Sequence, residues 1–346
     1  MKKRTRVVLS LTVVLILVVA VCSYIAYSAV LGPSVKPTKK GENQIELYIN
    51  TGSTYTDVFN NLTEKKTIKY PRIFNLLAEK KGYSQGVKPG HYTIPVNLSN
   101  NELLNRLLSG NQTPVKVTFN SLRTMEYLSE VLAWQLEPDS IAFISLLNSP
   151  ENLQAQGIIP DSLYMLLLPD TYEFYWTATP EEFIQRMQRE SVKYWSTRKT
   201  FAEEKGLTPA EVIIMASIVE KETNKNDEKP TVAGVYLNRL KKKIKLQADP
   251  TVVYAVGDFE LRRVLKKHTR IDHPYNTYNN YGLPPGPICI PSKASIESVL
   301  HAEKHNYIYF CAREDMSGYH NFAVTYAQHL RNARKFQQEL NKKNIN

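Results

Sequence analysis

From Val7 to Leu31 the chain carries no charged residue, and the next charge is Lys36. Roughly 20 apolar residues cross a bilayer as a helix, and this run exceeds that length. A secretory signal has an apolar stretch of only about 7–15 residues followed by a small-residue cleavage site. Ala26-Tyr27-Ser28 is a poor version of such a site behind too long a stretch, so an uncleaved single-pass anchor is expected. Lys2, Lys3, Arg4 and Arg6 precede the run. A basic flank stays cytoplasmic, which sends the rest of the chain outward from the cytoplasmic (inner) membrane. Cys22 follows the bulky Val21, unlike a lipidation site, and reads as a small lipid-facing residue.

The remaining chain is long. With 346 residues, 42% of them hydrophobic and 22% charged, it exceeds one compact core, and two or three folded domains are expected. The 44 basic residues against 33 acidic ones give +11; without the four at the N-terminus, 40 against 33 leave +7. So modest a surplus does not indicate nucleic acid and suits an anionic polymer or membrane surface. Cys289 and Cys311 could form at most one disulfide, and two free, partly buried thiols are the simpler expectation.

Gly32–Asn43 is rich in Pro, Gly and Lys, the composition of a tether. Gln44–Asn50 alternates like a strand, Tyr55–Leu62 and Tyr70–Lys81 read as short amphipathic helices, and Gly90–Pro95 reads as a return strand. Ser99-x-x-Glu102 opens a further helix, Asn101–Leu108. Val115–Phe119 and the aromatic Pro169–Trp176 read as strands, with helices near Thr124–Leu136 and Ser140–Asn148 between them. Thr179-Pro180-Glu181-Glu182 caps a long helix to about Trp195. Near the end, Lys293–Glu303 reads as a helix, Tyr307–Ala312 and Tyr319–Val324 as a hairpin, and Tyr326–Leu340 as a closing amphipathic helix.

Thr208-Pro209-Ala210-Glu211 is another strong helix start. Val212–Val219 is apolar on nearly every face, the pattern of a buried helix, and it delivers Glu220 at its far end. At about 100° per residue Glu220 and Glu222 point roughly 200° apart, so only one can share the inner face with Ala216 and Ser217. A carboxylate against an apolar helix end should have its pKa raised by desolvation, as a general acid needs. The plainer alternative is a charged last turn meeting solvent. Downstream, Leu246–Thr251 (LQADPT) places Asp249 as a natural N-cap ahead of Pro250. Asp272–Tyr278 and Gly282–Ile288 form rigid loops dense in Tyr and Asn, and rings of that kind stack on sugar faces.

ASIVEKET (Ala216–Thr223), LQADPT (Leu246–Thr251), PYNTY (Pro274–Tyr278), GLPPGPI (Gly282–Ile288) and His320-Asn321-Phe322 occur in this order. Together they closely resemble the endolytic murein transglycosylases, the MltG or YceG-like family, and the resemblance runs along the whole chain. It implies an α+β fold with an N-terminal transmembrane helix, a small LysM-like β-α-α-β module and a larger mixed α/β catalytic domain. The corresponding divisions are a cytoplasmic tail at 1–6, the transmembrane helix at 7–31, a tether at 32–43 and the module at 44–110. A connecting helical region at 111–199 and the catalytic domain at 200–346 complete them. Ala248, His273 and Cys289 depart from the family pattern without touching Glu220.

The implied activity is lytic cleavage of the β-1,4 bond between N-acetylmuramic acid and N-acetylglucosamine in nascent strands, leaving 1,6-anhydromuramic ends and limiting strand length. Glu220 falls on the family's catalytic glutamate. One carboxylate can suffice: it protonates the leaving oxygen, the muramic C6 hydroxyl attacks C1, and the ionised carboxylate takes that hydroxyl's proton. Ser217, Gln247, Asp249, Tyr275, Asn276, Tyr278 and His320 are the candidate substrate-binding residues, and Glu222 is assigned to a structural ion pair. For Asp249 the alternative is the helix cap, and for the loop residues internal hydrogen bonding. No cofactor is expected, and no metal, because His301 and His305 lack the H-E-x-x-H arrangement and a third ligand. The partners implied are glycan strands, the membrane and peptidoglycan synthases, with no nucleic acid. The alternative from another class is a non-catalytic peptidoglycan-binding scaffold of the wall-synthesis machinery; a hydrolase using water is a third.

Overall fold

The computed structural model describes residues 2–261 and 263–342. The charges of Lys2, Lys3, Arg4 and Arg6 fall outside the described side chains, as does everything past Lys342. The chain is a mixture of helices and short two-stranded ribbons. It divides into two compact units, one of residues 1–116 with 135–137 and 173–178, the other of 117–134, 138–172 and 179–346.

In the first unit, helix α1 (Lys2–Leu31) contains Val8–Leu31, long and apolar enough to cross a membrane, with a mean hydropathy of 2.8. Strands β1 (Gln44–Ile49) and β2 (Gly90–Pro95) pair antiparallel, Gln44 opposite Pro95 and Ile49 opposite Gly90. Alternation along β1 sends Ile45, Leu47 and Ile49 inward. Between the strands lie α2 (Tyr55–Glu64) and α3 (Pro71–Lys80), which bury Val58, Leu62, Phe74 and Ala78 against them. The β-α-α-β order read from the sequence is therefore present. Helix α4 (Asn100–Ser109) follows, with the reciprocal Ser99–Glu102 cap. Its first residue, Asn100, is wholly buried and accepts from the Ser34 hydroxyl at 2.7 Å while donating to the Ala29 and Tyr70 carbonyls. That side chain ties the end of α1 to the module by satisfying polar groups that burial would otherwise strand.

Strand β3 (Val115–Phe119) pairs with β4 (Asp170–Phe174). Between them in sequence come α5 (Met125–Ala133), α6 (Ser140–Leu147), α7 (Pro150–Ala155) and α8 (Leu163–Leu166). Then follow α9 (Pro180–Ser196), α10 (Lys199–Glu204), α11 (Pro209–Glu222) and α12 (Lys229–Lys241). The chain closes with α13 (Asp249–Val256), α14 (Lys293–Leu300), the antiparallel hairpin of β5 (Tyr309–Ala312) and β6 (His320–Ala323), and α15 (Tyr326–Lys342). Both α9 and α11 begin with the reciprocal Thr–Glu caps and first-turn prolines that the sequence announces.

Helix α11 is the axis of the second unit. Val212, Ile213, Met215, Ala216, Ile218 and Val219 are all essentially inaccessible, and α12 and α14 pack on it. The sequence reading misses α12, whose first turn contains Pro230 and whose middle contains Gly234. Packing explains both its existence and its glycine. A Cβ at Gly234 would lie 2.6 Å from the Glu303 carbonyl oxygen and 2.5 Å from the His305 ring. Helix-interior Gly→Ala normally gains about 1 kcal/mol. Gly234→Ala should instead cost about 1–3 kcal/mol by overpacking, read as a lower calorimetric transition temperature. An increase would show that the 303–305 segment yields freely.

Candidate active site

The end of α11 carries two carboxylates in opposite circumstances. Glu220 Oε2 accepts from the Ser292 hydroxyl at 2.5 Å, the Ser292 amide at 3.3 Å, the Ser295 hydroxyl and Lys229 Nζ at 3.2 Å. Ser292 is itself the N-cap of α14, and the Lys229 side chain is only 5% exposed. Burial by itself would raise the Glu220 pKa, but the Ser292, Ser295 and Lys229 donors outweigh it and hold the carboxylate below its ordinary range. The raised pKa expected of Glu220 is thus corrected to a lowered one. The structural ion pair expected at Glu222 is likewise made by Glu220, with Lys229.

Glu222 points the other way round the helix. Its carboxyl accepts from the hydroxyl of Tyr236, a buried residue on α12. Burial pushes the Glu222 carboxyl up to about 7; the Tyr236 hydrogen bond opposes this and the nearby Asp249 charge adds to it. The residue remains half-buried, because one side of it borders two recesses.

One recess, of about 460 Å³, is lined by Arg123, Lys221, Glu222, Asp249, Tyr254 and Phe259 among others. The other, of about 450 Å³, is lined by Glu222, Gln247, Asp249, Tyr278, Tyr309 and His320 among others. Glu222 and Asp249 are common to both, so the two acids form the shared wall. A larger hollow of about 1230 Å³ lies elsewhere on this unit, around Lys205, Gly234 and Pro284, and neither acid borders it.

Asp249 is not the helix cap considered from the sequence. The N-cap position falls on Ala248, and Asp249 is the first helical residue, its carboxylate taking the Tyr278 hydroxyl at 2.6 Å. Burial raises its pKa, and the Tyr278 bond opposes the rise. Gln247 adopts a left-handed backbone with φ 53° and accepts from the Arg239 guanidinium at 3.1 Å. Strain in a non-glycine residue beside a recess is what a shaped site tolerates. Arg239 also donates to the carbonyls of Lys245, Leu246 and Ile308, so one buried cation fixes the approach to Asp249. From the other side, Thr277 accepts from the Ala248 amide and shares a 2.8 Å hydroxyl contact with Thr251.

The remaining candidates separate. His320 borders the second recess, with Nδ1 2.8 Å from the buried Glu228. Tyr275 lies against Tyr254, ring centroids 4.6 Å apart and planes tilted by 35°. Asn276 corrects an expectation: it is wholly buried, and its amide bonds the Thr269 and Ile271 carbonyls inside the loop. Ser217 corrects another, since it is wholly buried and bridges the Ile214 carbonyl to the Ile288 amide. His305 lies past the end of α14 and bonds the Thr231 carbonyl. Tyr236, Arg239, Thr251 and Thr277 were not singled out from sequence. The threonines had a signal, each lying within a quoted motif; Tyr236 and Arg239 had none, because α12 itself went unread.

A model of the YceG-like family matches residues 47–335. The chain is 29% identical over 321 residues to the endolytic murein transglycosylase of Bacillus subtilis, covering 88% of each. It is 29% identical over 324 residues to that of Streptococcus pneumoniae, covering 84% of this chain and 58% of the relative. A crystal structure of a yceG-like protein from Listeria monocytogenes aligns with a TM-score of 0.55 at 27% identity, over 84% of this chain and 99% of that one. With most of its length inside the family match, and with the acid-bearing helix and both recesses within it, the chain belongs to the YceG-like family.

Proposed function

We propose that the protein is a peptidoglycan lytic transglycosylase whose general acid is Glu222, with Glu220 holding the end of the helix that presents it. The observation that carries this reading is the Glu222 carboxyl on the wall between two recesses, kept protonated up to about pH 7. An acid must hold its proton near working pH, and Glu220, bonded to a lysine and two serines, is ionised there. Glu222 donates its proton to the glycosidic oxygen as the muramic C1–O bond breaks. The C6 hydroxyl of the same sugar closes on C1, and ionised Glu222 takes that hydroxyl's proton, leaving a 1,6-anhydromuramic end. Asp249, braced by Tyr278, faces the positive charge that develops at C1. Gln247, Tyr278 and His320 hold sugar hydroxyl and acetamido groups in the second recess.

The same reading makes Val8–Leu31 a single-pass anchor, with the catalytic unit outside the cytoplasm. Residues 44–110 serve as a LysM-like glycan-contacting module, and nascent strands beside a peptidoglycan synthase are the substrate. Residues 111–199 act as a connecting region and 200–346 as the catalytic domain.

Uncross-linked strands digested by the detergent-solubilised chain, with the ends read by mass spectrometry, test this directly. Wild type should give anhydromuramic ends, and Glu222→Gln should lose about 10²–10⁴-fold in rate. Glu220→Gln strands a buried lysine and should cost about 3–5 kcal/mol of stability, while its folded fraction still yields anhydro ends. A folded Glu220→Gln protein that cuts nothing beside an active Glu222→Gln would exchange the roles. Reducing ends would make the enzyme a hydrolase, and bound but uncut strands a scaffold.

A pH signature follows from the raised Glu222 pKa. Relative to an ordinary carboxyl near 4.5, its neutral form contributes stability that is complete below that value and lost as pH rises through about 7. Glu222→Gln should match wild type in melting temperature near pH 4 and exceed it near pH 8. Equal melting temperatures at both pH values would mean that Glu222 titrates as an exposed carboxyl.

A further inference from the structure

The two recesses beside Glu222 differ in charge. The first gathers three cations, Arg123, Lys221 and Arg263. They come from three places in the chain: just before α5, the last turn of α11, and the segment after α13. Arg123 lays its guanidinium 4.8 Å from the Phe259 ring centroid, which holds the fork in place while leaving its donors free to bond. Among the described residues, none of the three makes an ion pair with a carboxylate within 4.0 Å. The two acids on the same wall are otherwise engaged: Glu222 keeps its proton and Asp249 takes the Tyr278 hydroxyl. In the second recess the one arginine, Arg239, is spent on backbone carbonyls and Gln247.

Three cations with no ion-pair partner among the described residues, set around about 460 Å³, a volume ordinary for a small-ligand site, are arranged for an anion. The sugars of a glycan strand carry no charge once each muramic lactyl carboxyl is amide-linked to its stem. Its carboxylates are on the peptide stem that hangs from the muramic lactyl group. The geometry points to the Arg123–Lys221–Arg263 recess as the subsite that takes a carboxylate of the peptide stem on the sugar being cut, which makes the enzyme selective for stem-bearing strands with free carboxylates. This rests on the lytic transglycosylase reading and adds a specificity to it. An arginine fork pairs with a carboxylate through two parallel hydrogen bonds. The anion is drawn to the edge of the Glu222 wall, so its binding also positions the muramic C1 beside the acid.

The test compares native uncross-linked strands with the same strands whose stem carboxylates have been converted to primary amides by carbodiimide and ammonia. The full chain in detergent should cut native strands with a kcat/KM at least about tenfold higher, as expected for a charge-assisted contact. The preference should shrink as salt rises. In the Arg123→Gln, Arg263→Gln double variant the native-to-amidated ratio should fall toward one, with a melting temperature close to wild type. Lys221→Gln alone should lower the ratio by a smaller factor. Equal cutting of both substrates by wild type overturns the subsite and leaves the lyase standing. A preference that survives in the double variant places the carboxylate elsewhere and also overturns it. No cutting of either substrate by wild type removes the lyase reading on which the subsite depends.

Discussion

The last turn of α11 has to leave an apolar core carrying two glutamates, and the arrangement of the candidate site depends on how each is received. Glu220 meets the capped start of α14 and a lysine from α12, so its negative charge is stabilised and the helix end is tied to both neighbours. Glu222, facing about 200° away, meets a tyrosine hydroxyl and the edge of a groove, and keeps its proton. Burial is the largest influence on both carboxyls. The difference in outcome comes from what donates: two hydroxyls and an ammonium in one case, a single phenol in the other. Replacing either set of partners would erase the contrast between an anchoring carboxylate and an acid.

The groove is built with the same economy of fixed points. Arg239 pins the approach to Asp249 through three carbonyls, and the Thr251–Thr277 contact ties the first turn of α13 to a loop 26 residues on. A left-handed Gln247 is tolerated because both of its neighbours are held in this way. Gly286 belongs to this framework too, since a Cβ there would lie 2.6 Å from the Tyr275 hydroxyl. Such bracing holds Gln247, Asp249 and Tyr278 in fixed positions beside Glu222.

Local grammar was legible wherever a single turn decides the structure. Thr179 with Glu182 and Thr208 with Glu211 announce their helices, and alternation along Gln44–Ile49 announces its strand. Helix α12 was not legible, because its glycine and its mixture of buried and polar residues are explained by the 303–305 segment it packs on. At the site, the helical wheel shows that Glu220 and Glu222 cannot share a face, and nothing local says which is held ionised and which keeps its proton. Which of the two is held ionised is decided by Lys229, nine residues on from Glu220, and by Ser292 and Ser295, more than seventy residues on. The cap alternative for Asp249 fails for a related reason: Pro250 fits either of the first two helical positions, and the tyrosine that claims the carboxylate lies in another loop. Asn276 and Ser217 have the side chains of sugar binders, and only packing shows them turned inward.

The central claim is the protonation state of Glu222, and carbon NMR of the chain with ¹³C-labelled glutamate measures it most directly. The Glu222 carboxyl resonance is identified as the one absent from the Glu222→Gln protein and followed from pH 3 to pH 9. A midpoint near 7, beside a Glu220 carboxyl titrating below the ordinary range, is the result this account predicts. A Glu222 midpoint at or below about 4.5 would contradict it, because a carboxyl ionised at neutral pH has no proton to give the glycosidic oxygen.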